Sequence, residues 1–329
     1  MARPFQINHP LTDYIQRTGG NLGQFMMSGR PLPLVLTPKE EFIYHVFGMK
    51  GRAAMTSLDL RRERGSTYQQ VSTTSSTATD QVEEYGAVVK RDRRTIANAD
   101  LSLFEEDAET AAIQVIGAKE NDLVTLLETD ANFGTAADAA TYGGTGVQGA
   151  WDDDASNPKA QINLAKRTIR TATGGSDGEI HLYMPEEVFQ AVQLHALVRD
   201  QFKFTSSEFP AEAVLARYFE VAAIHVGISQ GDSANIGQDA SMGYLMGNHC
   251  AVVKLPRGMR ASGRTDCWAK EFNLSFDLPG EGGQVRNVGG ISIEQYSDPD
   301  TRSVATRAAD FWKLKLSNAS CGVRIKSVA

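Results

Sequence analysis

The chain has 329 residues, and 33 lysines and arginines stand against 40 aspartates and glutamates, for a formal charge of −7. This length allows one to three domains, and the acidic balance excludes a protein that holds nucleic acid through overall positive charge. Three cysteines without C-x-x-C spacing argue against disulfides and for a reducing compartment. The sequence contains neither an apolar run of about 18 residues nor the apolar centre of a signal peptide, so it predicts no membrane association and no secretion.

Residues 1–38 are predicted to form an extended N-terminal arm, because five prolines and several glycines prevent them from building a core. A frayed terminus is the alternative. Residues 51–100 are typical of a long projecting β-hairpin, with two charged arms (53–68 and 82–96) around a Ser/Thr-rich tip. An isolated hairpin is marginal in water, so we expect arm and hairpin to be ordered by a neighbouring surface.

The longest helical pattern runs from about residue 102 to Glu128. Ser102 and Glu105 fit a capping box, and apolar residues then recur at helical spacing. Such a helix is about 40 Å long, which suits a strut. Residues 130–150 are small and Gly-rich and are predicted to be a linker or flexible loop.

A second helix is predicted after Trp151. Asn157 is a good N-cap, Pro158 suits the first helical position, and two glycines at 174–175 favour a stop. Beyond it, residues 179–254 alternate between strand and helix patterns, whereas the last 65 residues show only strand alternation. The chain is therefore predicted to be α+β.

No pattern of catalysis or metal binding stands out. The histidines His181, His195, His225 and His249 lack metal spacing, and the acidic run at 152–154 misses the calcium-loop template. The glycines at 143–146 lack the Lys-Ser/Thr of a phosphate loop, and no G-x-S-x-G is present. We predict a protein that is not an enzyme, with no catalytic, cofactor or metal site.

Two basic runs in the hairpin region, at 61–64 and 90–94, carry local positive charge in an acidic chain. Binding of nucleic acid and a solvated surface are two interpretations of these runs, but no aromatic residues are interleaved with them for base stacking. We favour contact with acidic residues of an adjacent copy, and the start of the long helix is the first candidate. The predicted inter-subunit residues are Arg61, Arg62, Arg64, Arg91, Arg93, Arg94, Glu105, Glu106, Asp107 and Glu109.

The motif WxxxASNPxxxIxxA from Trp151, the helix end IRxATGG, MPEEVFxAV from Met184 and HxxVRDQFKF from His195 resemble the major capsid proteins of tailed bacteriophages. The order of the remaining parts is similar to that family. The resemblance implies the Hong Kong 97-type shell fold. Its parts would be an N-terminal arm (1–38), an extended loop (51–100), a peripheral domain with spine and second helix (101–175), an axial domain (176–258) and returning peripheral strands (259–329).

For function, the resemblance implies a subunit that assembles into pentamers and hexamers of an icosahedral or prolate head around double-stranded DNA, without sequence-specific binding. It implies a virion location after assembly in the bacterial cytoplasm, with portal and possible decoration proteins as partners. The arm begins at the first residue, so we expect a separate scaffolding protein. No matched Lys, Asn and Glu can be placed for the covalent cross-link of some relatives, so we expect none. The alternatives are an encapsulin-like cargo shell and an α/β enzyme with a hairpin lid.

Overall fold

The structure is a computed structural model that describes residues 6–7, 25–47, 61, 64–65, 67, 75–98, 103–144, 147–175, 177–203, 211–232, 238–239, 241–280, 283–288, 290–298 and 301–329. Most of the predicted arm and of the first hairpin strand lie outside these residues. The helices are α1 (Arg93–Ala97), α2 (Leu103–Glu128), α3 (Pro158–Ala172), α4 (Glu186–Leu194), α5 (Ala196–Phe202) and α6 (Glu212–Phe219).

The strands number sixteen in the described part of the chain. They are β1 (Gln6–Ile7), β2 (Leu34–Thr37), β3 (Glu41–Phe47), β4 (Ser75–Gln81), β5 (Glu83–Asp92), β6 (Thr135–Asp138), β7 (Glu179–Pro185), β8 (Ala223–Gly227), β9 (Gln230–Asp232), β10 (Met242–Tyr244), β11 (His249–Leu255), β12 (Ala269–Gly280), β13 (Gly283–Val288), β14 (Ser292–Asp298), β15 (Ser303–Leu316) and β16 (Gly322–Lys326).

These strands form two main sheets. The larger one has the order β1–β14–β15–β12–β13, with β2 parallel to β12 and β5 antiparallel to β15. The smaller one has five strands in the order β6–β16–β11–β7–β8. Two further pairs, β3–β4 and β9–β10, are antiparallel.

The long helix α2 forms as predicted and packs its apolar stripe against the larger sheet. Ala108, Ala112, Leu123 and Leu127 on this stripe are fully buried. The same core takes in one face of the five-stranded sheet, through Tyr183 and its neighbours on β11. The helix thus joins the two sheets through one apolar layer, as a strut would.

The second predicted helix, α3, is also confirmed, together with its signals. The Asn157 side chain accepts a hydrogen bond from the Ala160 N–H at 3.0 Å, and Gly174 and Gly175 have φ of 62° and 71°. Its buried stripe packs with helices α4–α6 on the second face of the five-stranded sheet. That sheet is therefore covered on both faces.

The predicted hairpin differs from the structure. Residues 83–92 pair with β15 over their full length, from Glu83 opposite Trp312 to Asp92 opposite Ser303, and α1 follows directly. The described hairpin is β3–β4, and its first strand begins at Glu41, earlier in the chain than position 51. Its Phe42 ring stacks on Phe272 of β12 at 4.0 Å, so the base of the hairpin leans on the larger sheet.

The predicted division at residues 175 and 259 also differs from the packing. Helix α3 shares its core with α4–α6 rather than with α2, and β16 returns to the five-stranded sheet beside β11. The predicted linker at 130–150 contributes β6 to that sheet, parallel to β16. Sequence order separates these segments, but β6 pairs with β16 and β16 pairs with β11, so all three belong to one sheet.

Candidate inter-subunit surface

The predicted basic and acidic residues meet first inside one chain. Arg91 lies near the end of β5, and its Nε donates to the Asp107 Oδ1 at 2.5 Å. Glu106 lies 3.5 Å from the same guanidinium. Asp107 is buried, whereas Glu106 is exposed. The predicted attraction between the basic run and the start of α2 thus already operates within the subunit at Arg91.

Two of the other predicted arginines contact different groups. The Arg93 guanidinium donates to the Ser297 hydroxyl, and the Arg94 N–H donates to the Asp92 carboxylate that caps α1. Exposed positions, among the described residues of this set, are Arg61, Arg64, Arg93, Arg94, Glu105 and Glu106, while Glu109 is half-buried. Arg62 lies outside the described residues. Their contact with a neighbouring subunit stays a prediction.

A buried ionic cluster, which sequence reasoning missed, fixes α2 to the larger sheet. The Lys119 ammonium contacts the Glu271 carboxylate of β12 and lies 3.0 Å from the Asp310 carboxylate of β15. Burial by itself lowers the pKa of Lys119, but the two carboxylates raise it above its ordinary value. A signal existed in the sequence, because Lys119 lies four residues after Val115 and four before Leu123, on the apolar stripe of the helix.

Glu120, the next residue, is fully buried, and no cation of the described residues forms a salt bridge with it. Its carboxylate accepts hydrogen bonds from the backbone N–H groups of Met26 and Met27, at 3.2 and 2.9 Å, and from the Ser229 hydroxyl at 3.2 Å. Burial raises the pKa of Glu120, and these donors act in the opposite direction. One side chain therefore ties α2 to the short helical turn near residue 26 and to the β8–β9 connection.

The residues around Trp151 are hydrogen-bonded to the buried side-chain amide of Gln161. Trp151 is fully buried, and its indole N–H donates to the Gln161 Oε1 at 2.7 Å. The Gln161 amide nitrogen donates in turn to the carbonyls of Ala139 and Val147, at 3.0 and 3.1 Å. The Gly-rich segment is thus fixed to helix α3 by one glutamine, which explains why a lone Trp precedes that helix.

His181 and His249 are buried in the fold, and His225 is half-buried. The His181 Nδ1 and His225 Nε2 atoms lie 3.1 Å apart, and the two rings stack with Tyr183 next to them. Burial, with a smaller contribution from His181, lowers the pKa of His225 to about 4. Burial and the nearby Arg324 lower the pKa of His249 to about 3. Both rings are therefore neutral near pH 7.

These shifts predict acid sensitivity. As pH falls below the ordinary histidine pKa of about 6.5, the unfolded chain binds protons that folded His225 and His249 bind only near 4 and 3. Stability present above pH 6.5 is expected to fall by up to about 1.4 kcal/mol per pH unit for each group. Urea unfolding at pH 7, 6 and 5 checks this, and His225→Asn should reduce the slope. A free energy of unfolding that is constant over this range would contradict the prediction.

Metal binding, reactive thiols and membrane-spanning helices have little support in the described part of the chain. No group of three or more His, Cys, Asp or Glu side chains there is placed to hold a metal ion. Cys250, Cys267 and Cys321 are buried and unbridged, and burial raises the pKa of each thiol. No helix among the described residues is long and apolar enough to cross a membrane.

No protein-family model and no curated protein sequence matches the chain. Solved structures do match. A phage-related protein from Bordetella bronchiseptica is 14% identical, with 99% of each chain covered and a TM-score of 0.70. A virus-like particle from Pyrococcus furiosus is 12% identical over 96% of this chain and 98% of that one, with a TM-score of 0.54. A chain in the capsid structure of the cyanophage P-SCSP1u is 9% identical over 90% and 86%, with a TM-score of 0.55.

The matches extend over nearly the whole chain, so they define the class of fold, which is α+β. The fold is the Hong Kong 97-type fold of phage capsid proteins, as the sequence predicted.

Proposed function

We propose that the chain is a major capsid protein, the structural subunit of an icosahedral or prolate phage head that encloses double-stranded DNA. The observation that carries this proposal is the shared fold over 90% of the chain with a subunit of a cyanophage capsid. The charge supports it, because a subunit with net charge −7 surrounds DNA without adhering to it through general attraction. The chain acts by association with copies of itself into hexamers and pentamers.

The proposal includes partners that the resemblance implies. A separate scaffolding protein directs assembly, a portal occupies one vertex, and decoration proteins are possible additions. The protein is assembled in the host cytoplasm and resides in the virion shell. We infer that it performs no reaction: the serine–histidine contact among the described residues, Ser156 Oγ with His195 Nε2 at 3.2 Å, joins two buried side chains that a substrate does not reach.

The encapsulin-like cargo shell is the second candidate, and the likeness to the archaeal virus-like particle favours it specifically. The contents of the purified particles distinguish the capsid from the cargo shell. A capsid protein is expected in particles that protect DNA from nuclease, whereas a cargo shell would protect a folded protein. The enzyme with a hairpin lid has no supporting observation in the described residues.

Electron microscopy of the purified chain, expressed alone and with candidate scaffolding proteins, tests the proposal. We expect closed shells of regular diameter in at least one condition. Monomers or irregular aggregates in every condition, with a folded chain by circular dichroism, would contradict a shell function.

The exposed arginines near the hairpin give a narrower prediction. Arg61→Glu, Arg64→Glu and Arg94→Glu together should impair assembly, because we infer that these side chains face carboxylates of a neighbouring subunit, with Glu105 as first candidate. Single reversals should be tolerated, since exposed pairs contribute about 0–1 kcal/mol each. Native gel analysis of assembly at low and high salt measures the effect.

A matched control is available on the same chain. Arg217, Arg260 and Arg264 are also exposed, and their triple reversal makes the same charge change elsewhere. If both triple variants assemble equally well at low salt, the arginines near the hairpin are solvated surface and the electrostatic contact is wrong.

A further inference from the structure

Helix α3 has a charge pattern unlike the rest of the chain. Its fifteen residues include Lys159, Lys166, Arg167 and Arg170 and no aspartate or glutamate, within a protein of net charge −7. A helix with cations only is not stabilised by internal ion pairs, and the helix dipole accounts only for a cation in the last turn, which here is Arg170.

The four cations lie along one side of the helix. Lys159, Lys166 and Arg170 recur with Asn163 at steps of three and four, and Arg167 follows Lys166, which gives one stripe about 16 Å long. The adjoining stripe, with Ile162, Ala165 and Ile169, is fully buried in the core. The core therefore fixes which way the cationic stripe faces.

The stripe lines a groove between α3 and helices α5 and α6. A cavity of about 340 Å³ is bounded by Lys159, Leu197, Gln201 and Tyr218, and a second of about 230 Å³ by Lys166, Arg167, Arg170 and Glu220. Asn163 lines both cavities, so they form one continuous depression, here called the α3 groove.

The four cations of the α3 groove differ in the contacts that each makes within the chain. Lys159 lies over the Tyr218 ring at 4.2 Å, and Lys166 donates to the Phe219 carbonyl at 2.7 Å. Glu220 contributes one carboxylate, 3.7 Å from Lys166. Arg167 and Arg170 are exposed and have no ion pair within the described residues. Two guanidiniums are therefore free to bind an outside anion.

One end of the α3 groove is apolar. Leu197 lines the larger cavity together with the Tyr218 ring and is 44% exposed. The groove therefore combines an exposed apolar side chain at one end with unpaired arginines at the other. Such a surface is complementary to one face of an amphipathic helix that carries acidic and apolar side chains.

We propose that the α3 groove binds an acidic amphipathic peptide segment of a second protein. Carboxylates of the segment would pair with Arg167 and Arg170, a pairing that guanidinium geometry favours, and its apolar side chains would cover Leu197 and Tyr218. Duplex DNA fits less well, because its phosphate backbone offers nothing to the apolar end of the groove and its convex surface does not enter a narrow depression. A helical segment of about 11 residues spans the stripe.

A peptide library tests this inference. Random 16-residue peptides displayed on yeast are selected on the purified wild-type chain and depleted on the Arg167→Gln/Arg170→Gln variant. We expect enrichment of Asp and Glu at steps of three and four beside Leu, Ile or Phe. Fluorescence polarisation of enriched peptides should then show binding weakened about tenfold or more by the double variant, and weakened also by Leu197→Ser.

The matched control is Arg260→Gln/Arg264→Gln, which makes the same charge change at two exposed arginines outside the groove and should alter affinity by less than about twofold. Circular dichroism verifies that all variants fold. The inference is overturned if no acidic peptides are enriched, or if both double variants weaken binding equally. It is also overturned if a 20-base-pair duplex binds more tightly than the peptides and depends on Arg167 and Arg170. The measurement uses the purified chain, so its failure and a failure to form shells are separate results.

Discussion

Lys119→Met is expected to lower the free energy of unfolding by about 3–5 kcal/mol. The substitution leaves the carboxylates of Glu271 and Asp310 buried at the interface of α2 and the larger sheet without their shared cation. An uncompensated buried charge costs far more than the original ion pair contributes. Urea unfolding of the purified subunit at pH 7 measures the change.

Two comparisons separate this effect from a general loss of charge. Lys90→Met removes an exposed lysine that lies 3.6 Å from Asp298, and it should cost less than about 1 kcal/mol. Neutralising the partners, in Lys119→Met/Glu271→Gln/Asp310→Asn, should recover part of the stability. If Lys119→Met costs no more than Lys90→Met, the cluster does not join helix and sheet as described.

Trp151→Ala is expected to cost a similar amount, about 3–5 kcal/mol, because it removes the largest fully buried side chain of the α3 core. Trp151→Phe keeps much of the volume but loses the N–H that donates to Gln161, and an unsatisfied buried acceptor costs about 1–3 kcal/mol. Urea unfolding with near-ultraviolet circular dichroism follows both variants. A Trp151→Phe variant as stable as the wild type would show that the hydrogen bond to Gln161 contributes nothing, whereas equal costs for the two variants would show that the lost side-chain volume contributes nothing.

Local signals were sufficient for the helices. The capping side chain of Asn157 and the glycines after Ala172 act within a few residues, so α3 begins and ends where the sequence predicts. The apolar stripe of α2 likewise depends on spacing alone. These elements, with the motif near Trp151, were enough to indicate the Hong Kong 97-type fold.

The pairing of strands that lie far apart in the chain could not be predicted from such local signals. The alternation of Tyr85, Ala87 and Val89 shows that one face of a strand is buried, but the same pattern suits a hairpin arm and a central sheet strand. Its partner β15 lies more than 200 positions later in the chain. The hairpin prediction was therefore wrong about residues 83–92, although their strand character was right.

By itself the sequence determined the element types, the two helices that organise the cores and the class of fold, because caps, glycine stops and apolar periodicity are local properties. The tertiary structure alone decided that Arg91 pairs with Asp107 inside the chain, that Lys119 is buried between Glu271 and Asp310, and that β16 joins β11. Each of these contacts joins residues from different segments of the chain, and no local sequence pattern marks them as partners. They form only when packing brings the segments together.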